Sequence, residues 1–167
     1  MRLKLIITSD RILKYGTHLD KVGPLVKKEL EGYEVDVEYL PNDLKLIKRA
    51  VMKALVEDYE IVRVVGGTGL SDRDKSVEAV KPLLEKELHL FPVDFFMMSD
   101  TPLASLGRPI AGRSLDSLVI VSPGSPDAAK VVIKRIKKAG EHIIKIIRYG
   151  VSGWDLNSSS KSRRGNQ

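Results

Sequence analysis

The sequence predicts one α/β domain, built on a doubly wound and mostly parallel sheet with helices on both faces. Two observations carry that prediction. Short apolar runs of strand length, at 3–8, 61–65 and from 118, alternate with stretches whose apolar residues recur at helical spacing, which is the pattern of βα units. Each run also stops at a polar loop, as a buried parallel strand does before it feeds a helix. The chain has 167 residues, enough for one substantial core. The domain is expected to span 1–152, and 153–167 reads as a polar, basic, disordered tail.

In order along the chain, LKLIIT (3–8) holds one charge in an apolar run and reads as a strand covered on both faces. SDRILKYGTHLDKVGP reads as a glycine-punctuated loop entering a helix at about Asp20, with Val22, Leu25, Val26 and Leu30 on one side. YEVDVEYL (33–40) alternates apolar and polar residues, so it suits a half-exposed strand near an edge. Leu44, Ile47, Val51 and Leu55 then fall on one helical face, with Asn42 or Asp43 as the cap. IVRVV (61–65) is the next buried strand, followed by a glycine loop and a helix over 76–88. Residues 88–107 show no clear period. LVIV opens the last strand, SPGSP ends it, and a helix bent or broken near Gly140 follows.

Composition narrows the chemistry. Lys and Arg number 28 against 22 Asp and Glu, which favours anionic partners without choosing among them. Part of the excess lies in the tail SSSKSRRGNQ, read as an aid to solubility; nucleic-acid binding is not expected. No apolar run approaches the roughly 18 residues of a membrane helix, and the start is too soon polar for a signal peptide. A cytoplasmic protein without membrane contact is the expectation. There is no Cys, and His18, His89 and His142 are scattered, so a bound metal is expected to take oxygen ligands, as Mg²⁺ does.

Ligands of open α/β sheets sit beyond the carboxyl ends of the strands. Three loops fall at such ends: TSDR (8–11), GGTGLSDRD (66–74) and SPGSPD (122–127). Glycines let backbone N–H groups approach a phosphate, and carboxylates just beyond them can hold a divalent cation. The same glycines also suit a plain turn. Neither the P-loop spacing nor the dinucleotide G-x-G-x-x-G spacing is present.

Four motifs occur in order over residues 3–135: TSDR with DKVGP (20–24), GGTGLSDRD, RPIAG (108–112) and SPGSP (122–126). Together they resemble the molybdopterin adenylyltransferases of the MogA/MoaB type, which include the G domain of gephyrin. The resemblance implies a three-layer α/β fold, a homotrimer or hexamer, and binding of molybdopterin and ATP. It implies Mg²⁺-dependent adenylylation of the terminal phosphate of the pterin, with pyrophosphate released, before molybdenum or tungsten is inserted. By position in the motifs, it implies that Ser9, Asp10, Asp20, Asn42, Gly66, Gly67, Thr68, Gly69, Arg108, Pro123, Gly124, Ser125 and Pro126 bind nucleotide or pterin. Asp74 and Asp43 are the implied catalytic and metal-holding carboxylates. Asn42 stands where the family has Asp after the helix-opening proline, and Gly107 where it commonly has Ser. LFPVDFFMM (90–98) replaces the family's Gly-Phe-Gly-Glu stretch. The alternative is a non-catalytic molybdopterin-binding or scaffolding protein of the same fold, which Asn42 favours.

Overall fold

The structure, a computed structural model, describes residues 1–150; the predicted tail at 153–167 lies outside the described residues. Among those residues six strands, β1 (Arg2–Thr8), β2 (Glu34–Leu40), β3 (Ile61–Val65), β4 (Lys86–Glu87), β5 (Ile110–Ser114) and β6 (Ser117–Ser122), form one sheet in the order β2-β1-β3-β6-β5-β4. The first four in that order run parallel, while β5 and β4 run antiparallel to their neighbours. Among the described residues seven α-helices accompany them: α1 (Asp10–Tyr15), α2 (Val22–Glu29), α3 (Leu44–Val56), α4 (Ser76–Val80), α5 (Phe91–Met98), α6 (Pro126–Arg135) and α7 (Glu141–Tyr149).

Three layers follow from strand alternation. Leu3, Leu5, Ile7, Leu118 and Ile120 turn to one face and pack with Val26 of α2, Val132 of α6 and Ile144 of α7. Ile6, Val62, Val64, Val119 and Val121 turn to the other and pack with Ile47, Val51 and Ala54 of α3 and Val80 of α4. Successive strand residues point to opposite faces, so a strand covered on both sides must be apolar throughout. That is why β1, β3 and β6 were legible as continuous runs and β2, at the edge, as an alternating one.

Several expectations need correction. SDRILKY is a helix, α1, capped by the Ser9 hydroxyl accepting from Ile12 N at 3.2 Å; it buries no residue, so no apolar period marks it. The helix expected over 76–88 stops at Val80, gives one 3-10 turn over Lys81–Leu83, and becomes β4. Pro82 accounts for the stop, because it has no N–H to continue the helix. The unreadable stretch contains α5 and a 3-10 turn at Pro102–Leu106; only Phe95 of α5 is fully buried. RPIAG, read as a motif, runs into β5, which forms a hairpin with β6. The bend expected near Gly140 is a π-type turn over Ile136–Gly140.

Candidate functional site

The chain reverses its direction of travel across the sheet between β1 and β3, since β2 lies beyond β1 while β6 lies beyond β3. Ligands of doubly wound sheets bind at such a switch point. All three loops meet there. Gly66 N donates to Ser122 O at 2.9 Å, and Thr8 Oγ1 donates to Val65 O at 3.1 Å. A Cβ added to Gly66 would lie 2.7 Å from Thr8 O, and one added to Gly124 would lie 3.6 Å from Gly66 Cα. The carboxyl ends of β1, β3 and β6 therefore form one continuous edge.

The glycine loop needs its glycines for this closeness. Gly66 and Gly67 have φ of +94° and +66°, which side-chain-bearing residues rarely adopt. A Cβ on Gly67 would also lie 2.5 Å from the Ser76 hydroxyl. Gly66 N–H is engaged by Ser122, so it is not a free phosphate donor; no hydrogen bond among the described residues takes up the N–H of Gly67 or Thr68.

Asp74 closes the loop on itself. Its Oδ2 accepts from Ser71 Oγ at 2.7 Å and Ser71 N at 3.0 Å. The Ser71 hydroxyl holds its carboxyl below the usual range, helped by the backbone of Ser71 and Gly69 and by the nearby Arg108 charge. Asp74 is thus a carboxylate at neutral pH, and it does not cap α4, whose start has no side-chain cap. Arg108 fastens the loop from the other side: Nε and Nη2 donate to Gly69 O at 3.0 and 2.7 Å, and Arg108 N donates to Thr68 O at 3.0 Å. Its Nη1 pairs with Glu78. The pair raises the Arg108 pKa and lowers that of Glu78.

The remaining sequence-named residues divide between loop ties and helix caps. Asp10 accepts from Asn42 N at 3.0 Å, tying the ends of β1 and β2 together. Asn42 Oδ1 is buried without a donor. Asp43 caps α3, accepting from Leu46 N at 2.9 Å. Asp20 is buried and fully occupied by Val22 N, Gly23 N and the Tyr39 hydroxyl. Burial and that hydroxyl bond push Tyr39 up to about 12. Ser125 caps α6 through Ala128 N at 3.1 Å, with Pro126 opening the helix. Pro123 approaches Gly107, where a Cβ would lie 3.1 Å from its Cγ; a side chain there would crowd the loop. Thr68 is buried beneath Arg108.

Sequence reasoning passed over Ser71, Ser76 and Glu78. Ser71 sits inside the quoted loop, and in a Ser-x-x-Asp spacing the carboxylate can reach back to the Ser N–H, as the acidic residue of a capping box does. Glu78 gave no signal, because its partner Arg108 is 30 residues away. Among the described residues, no group of three or more His, Asp or Glu could hold a metal ion. No described helix is long and apolar enough to cross a membrane.

Residues 4–142 match the family described as a probable molybdopterin binding domain. The chain is 35% identical over 136 residues to a probable molybdopterin adenylyltransferase of Methanocaldococcus jannaschii, covering 78% of this chain and 82% of the relative. Among solved structures, a molybdopterin biosynthesis protein of Mycobacterium abscessus aligns with a TM-score of 0.79 and 33% identity, over 86% of this chain and 94% of that one. The tungsten cofactor synthesizing protein MoaB of Pyrococcus furiosus aligns with a TM-score of 0.76 and 31% identity, over 88% and 96%. By the match over residues 4–142 and these relatives, the chain belongs to the molybdopterin-binding family of molybdenum cofactor biosynthesis proteins.

Proposed function

We propose that the protein transfers AMP from ATP to the terminal phosphate of molybdopterin, in the assembly of a molybdenum or tungsten cofactor. A phosphate oxygen of the pterin attacks the α-phosphorus of ATP, a new P–O–P bridge forms, and the bond to pyrophosphate breaks. The observation that carries this reading is the braced loop 66–74 at the switch point. There the N–H groups of Gly67 and Thr68 lie in the same short loop as an ionised Asp74. Donors held in place before the reaction stabilise developing negative charge without reorganising. The relatives' names support the same activity.

The donor set suits Mg²⁺ brought in by ATP. Mg²⁺ is usually held by one or two carboxylates together with substrate phosphates, not by an all-protein cage, and no such cage exists among the described residues. Asp74 is the carboxylate that would hold it. Of the two residues before α3, Asn42 offers only a neutral amide oxygen, a poorer Mg²⁺ ligand than a carboxylate, and Asp43 has its Oδ1 bonded to the first turn of α3, so the reading rests on Asp74. Bound there, the cation would neutralise charge on the ATP phosphates. Arg108 keeps the loop shape, while Ser9 and Asp10 hold the β1 and β2 ends that border it.

Pyrophosphate release from Mg-ATP with molybdopterin present tests the reading. Release dependent on both substrates is expected; pterin binding without release would instead select the scaffolding alternative, which Asn42 in place of a carboxylate favours.

The protein is also proposed to be a homo-oligomer, as the resemblance implies. Leu90, Val93 and Met97 are 77%, 58% and 74% exposed, beside an apolar groove of about 830 Å³ between α5, β6 and the π-type turn. Clustered exposed apolar bulk of this kind suits a second copy of the chain. Sedimentation at micromolar concentration is expected to show no stable monomer.

A further inference from the structure

Arg63 lies in the middle of β3, on the face that carries Ile61 and Val65, and it is 0% exposed. Its register partners are Leu5 and Ile120, so an aliphatic side chain would suit the position. A guanidinium occupies it instead. Nε and Nη2 donate to the Ser122 hydroxyl at 3.3 and 3.2 Å, and Nη1 is buried with no partner. Its hydrogen bonds among the described residues go to that neutral hydroxyl and to no carboxylate. Burial pushes its pKa down to about 9, which still leaves it charged at neutral pH. An unpaired buried charge is costly, and apolar replacements of such groups often stabilise a fold.

The direction of the side chain explains what the charge is near. Arg63 sits opposite Ile120, but it bonds to Ser122, two residues or about 7 Å further toward the carboxyl edge. Ser122 in turn accepts Gly66 N–H through its carbonyl and opens the loop 122–126. The guanidinium therefore leans beneath the edge where Thr8, Gly66 and Gly124 meet, and even the backbone position of Arg63 is only three residues, or about 10 Å, along the strand from Gly66. At an effective dielectric of about 20, one charge at about 10 Å changes the affinity for a singly charged anion roughly tenfold.

We infer that Arg63 is a positioning residue for the polyphosphate substrate, holding Ser122 and the loop 122–126 from beneath and supplying a fixed positive charge to the crevice. The inference rests on the reading that ATP phosphates occupy this edge. It explains why a chain with an otherwise apolar β3 keeps a charge there at a cost to stability, in line with the general trade between fold stability and function at sites.

Full-length wild type and Arg63→Met are compared by calorimetric titration with ATP in the absence of divalent cations and with AMP, and by thermal unfolding without ligand. For Arg63→Met, affinity for ATP without Mg²⁺ is expected to fall at least tenfold and AMP affinity by less, because metal-free ATP carries two more ionised phosphates than AMP and the effect of a charge scales with the charge of the ligand. The Tm is expected to equal or exceed that of wild type. Unchanged affinity for metal-free ATP, or an equal loss for ATP and AMP, would overturn the inference, the second because it would indicate loop distortion. A variant that fails to fold or melts lower would overturn it too, since Arg63 would then be part of the scaffold. Wild type that binds neither nucleotide would overturn the nucleotide reading itself, which is a different result from a variant that binds as wild type does.

Discussion

The carboxyl edge of β1 and β3 and the β4–α5 end of the sheet are built in opposite ways. At the first, nearly every polar group is engaged locally: Asp74 with Ser71, Arg108 with Gly69 and Glu78, Asp10 with Asn42. At the second, Leu90, Val93 and Met97 face outward with no protein beyond them in the described chain. A braced polar edge is ready for a small charged ligand, whereas an unpaired apolar surface needs another apolar surface. On the proposed reading, chemistry and assembly lie on two parts of a single sheet, and each part can be broken without the other.

The largest effect is expected at Asp74. Asp74→Asn keeps an oxygen for the Ser71 bonds, so the loop should survive, but it removes the charge available to a cation. Turnover, read as pyrophosphate release, is expected to fall by about 100-fold or more, while the protein still folds, with an unfolding midpoint lowered only by the loss of the charged carboxylate. Wild-type turnover in this variant would overturn the assignment.

Arg108→Ala comes next, and it tests whether the bracing matters. It leaves Glu78 without its partner and frees the Gly69 carbonyl, so a stability loss of about 1–3 kcal/mol is expected from charged hydrogen bonds of this kind, measured by urea unfolding. The same brace should show in acid. The carboxyls of Asp74 and Glu78 are held below their ordinary values of 3.8 and 4.5, so each gives stability that is fully present above those values. That contribution is lost as pH falls through the lowered native values. In Glu78→Gln the Tm should therefore lie below wild type at pH 6 and approach it as the pH falls below about 4. A constant gap across that range would show that the pair does not stabilise the loop.

At the other end, Met97→Glu places a charge on the apolar surface. It is expected to shift the protein toward monomer in sedimentation while monomer Tm changes little, because Met97 is exposed in the single chain. An unchanged oligomer would locate the interface elsewhere. The smallest effect is expected for Gly124→Ala. The added Cβ would meet only ordinary contacts at the switch point, so Mg-ATP affinity should weaken a few-fold by narrowing the crevice, with stability unchanged. Gly67→Val is a poorer probe: its positive φ and its closeness to Ser76 would disturb the loop before any ligand was involved.

Much of the parallel half of the sheet could be read directly. β1, β3 and β6 are buried on both faces and therefore apolar in every position but a few, and α3 repeats Ile47, Val51 and Leu55 on one side. The glycine loop was visible too, because backbone geometry at Gly66 and Gly67 excludes other residues. The failures share a cause. α1 buries nothing, α5 exposes apolar residues instead of hiding them, and β4 has only two residues, so none of the three has the periodicity that burial imposes on a segment.

What the sequence determined by itself was the set of segments whose own neighbours dictate them: the buried strands, the amphipathic helix α3, and a loop that only glycine can form. Only the tertiary structure decided what the polar residues do. Asp20 turned out to serve the start of α2 and Tyr39, and Asp43 the start of α3. Arg108 reached Gly69 across 39 positions of sequence, and Arg63 reached Ser122 across 59. A hydrogen bond between residues so far apart leaves no local pattern, since each partner is an ordinary residue in its own segment. Its existence depends on strand order, and strand order is set by how whole layers bury their apolar faces together.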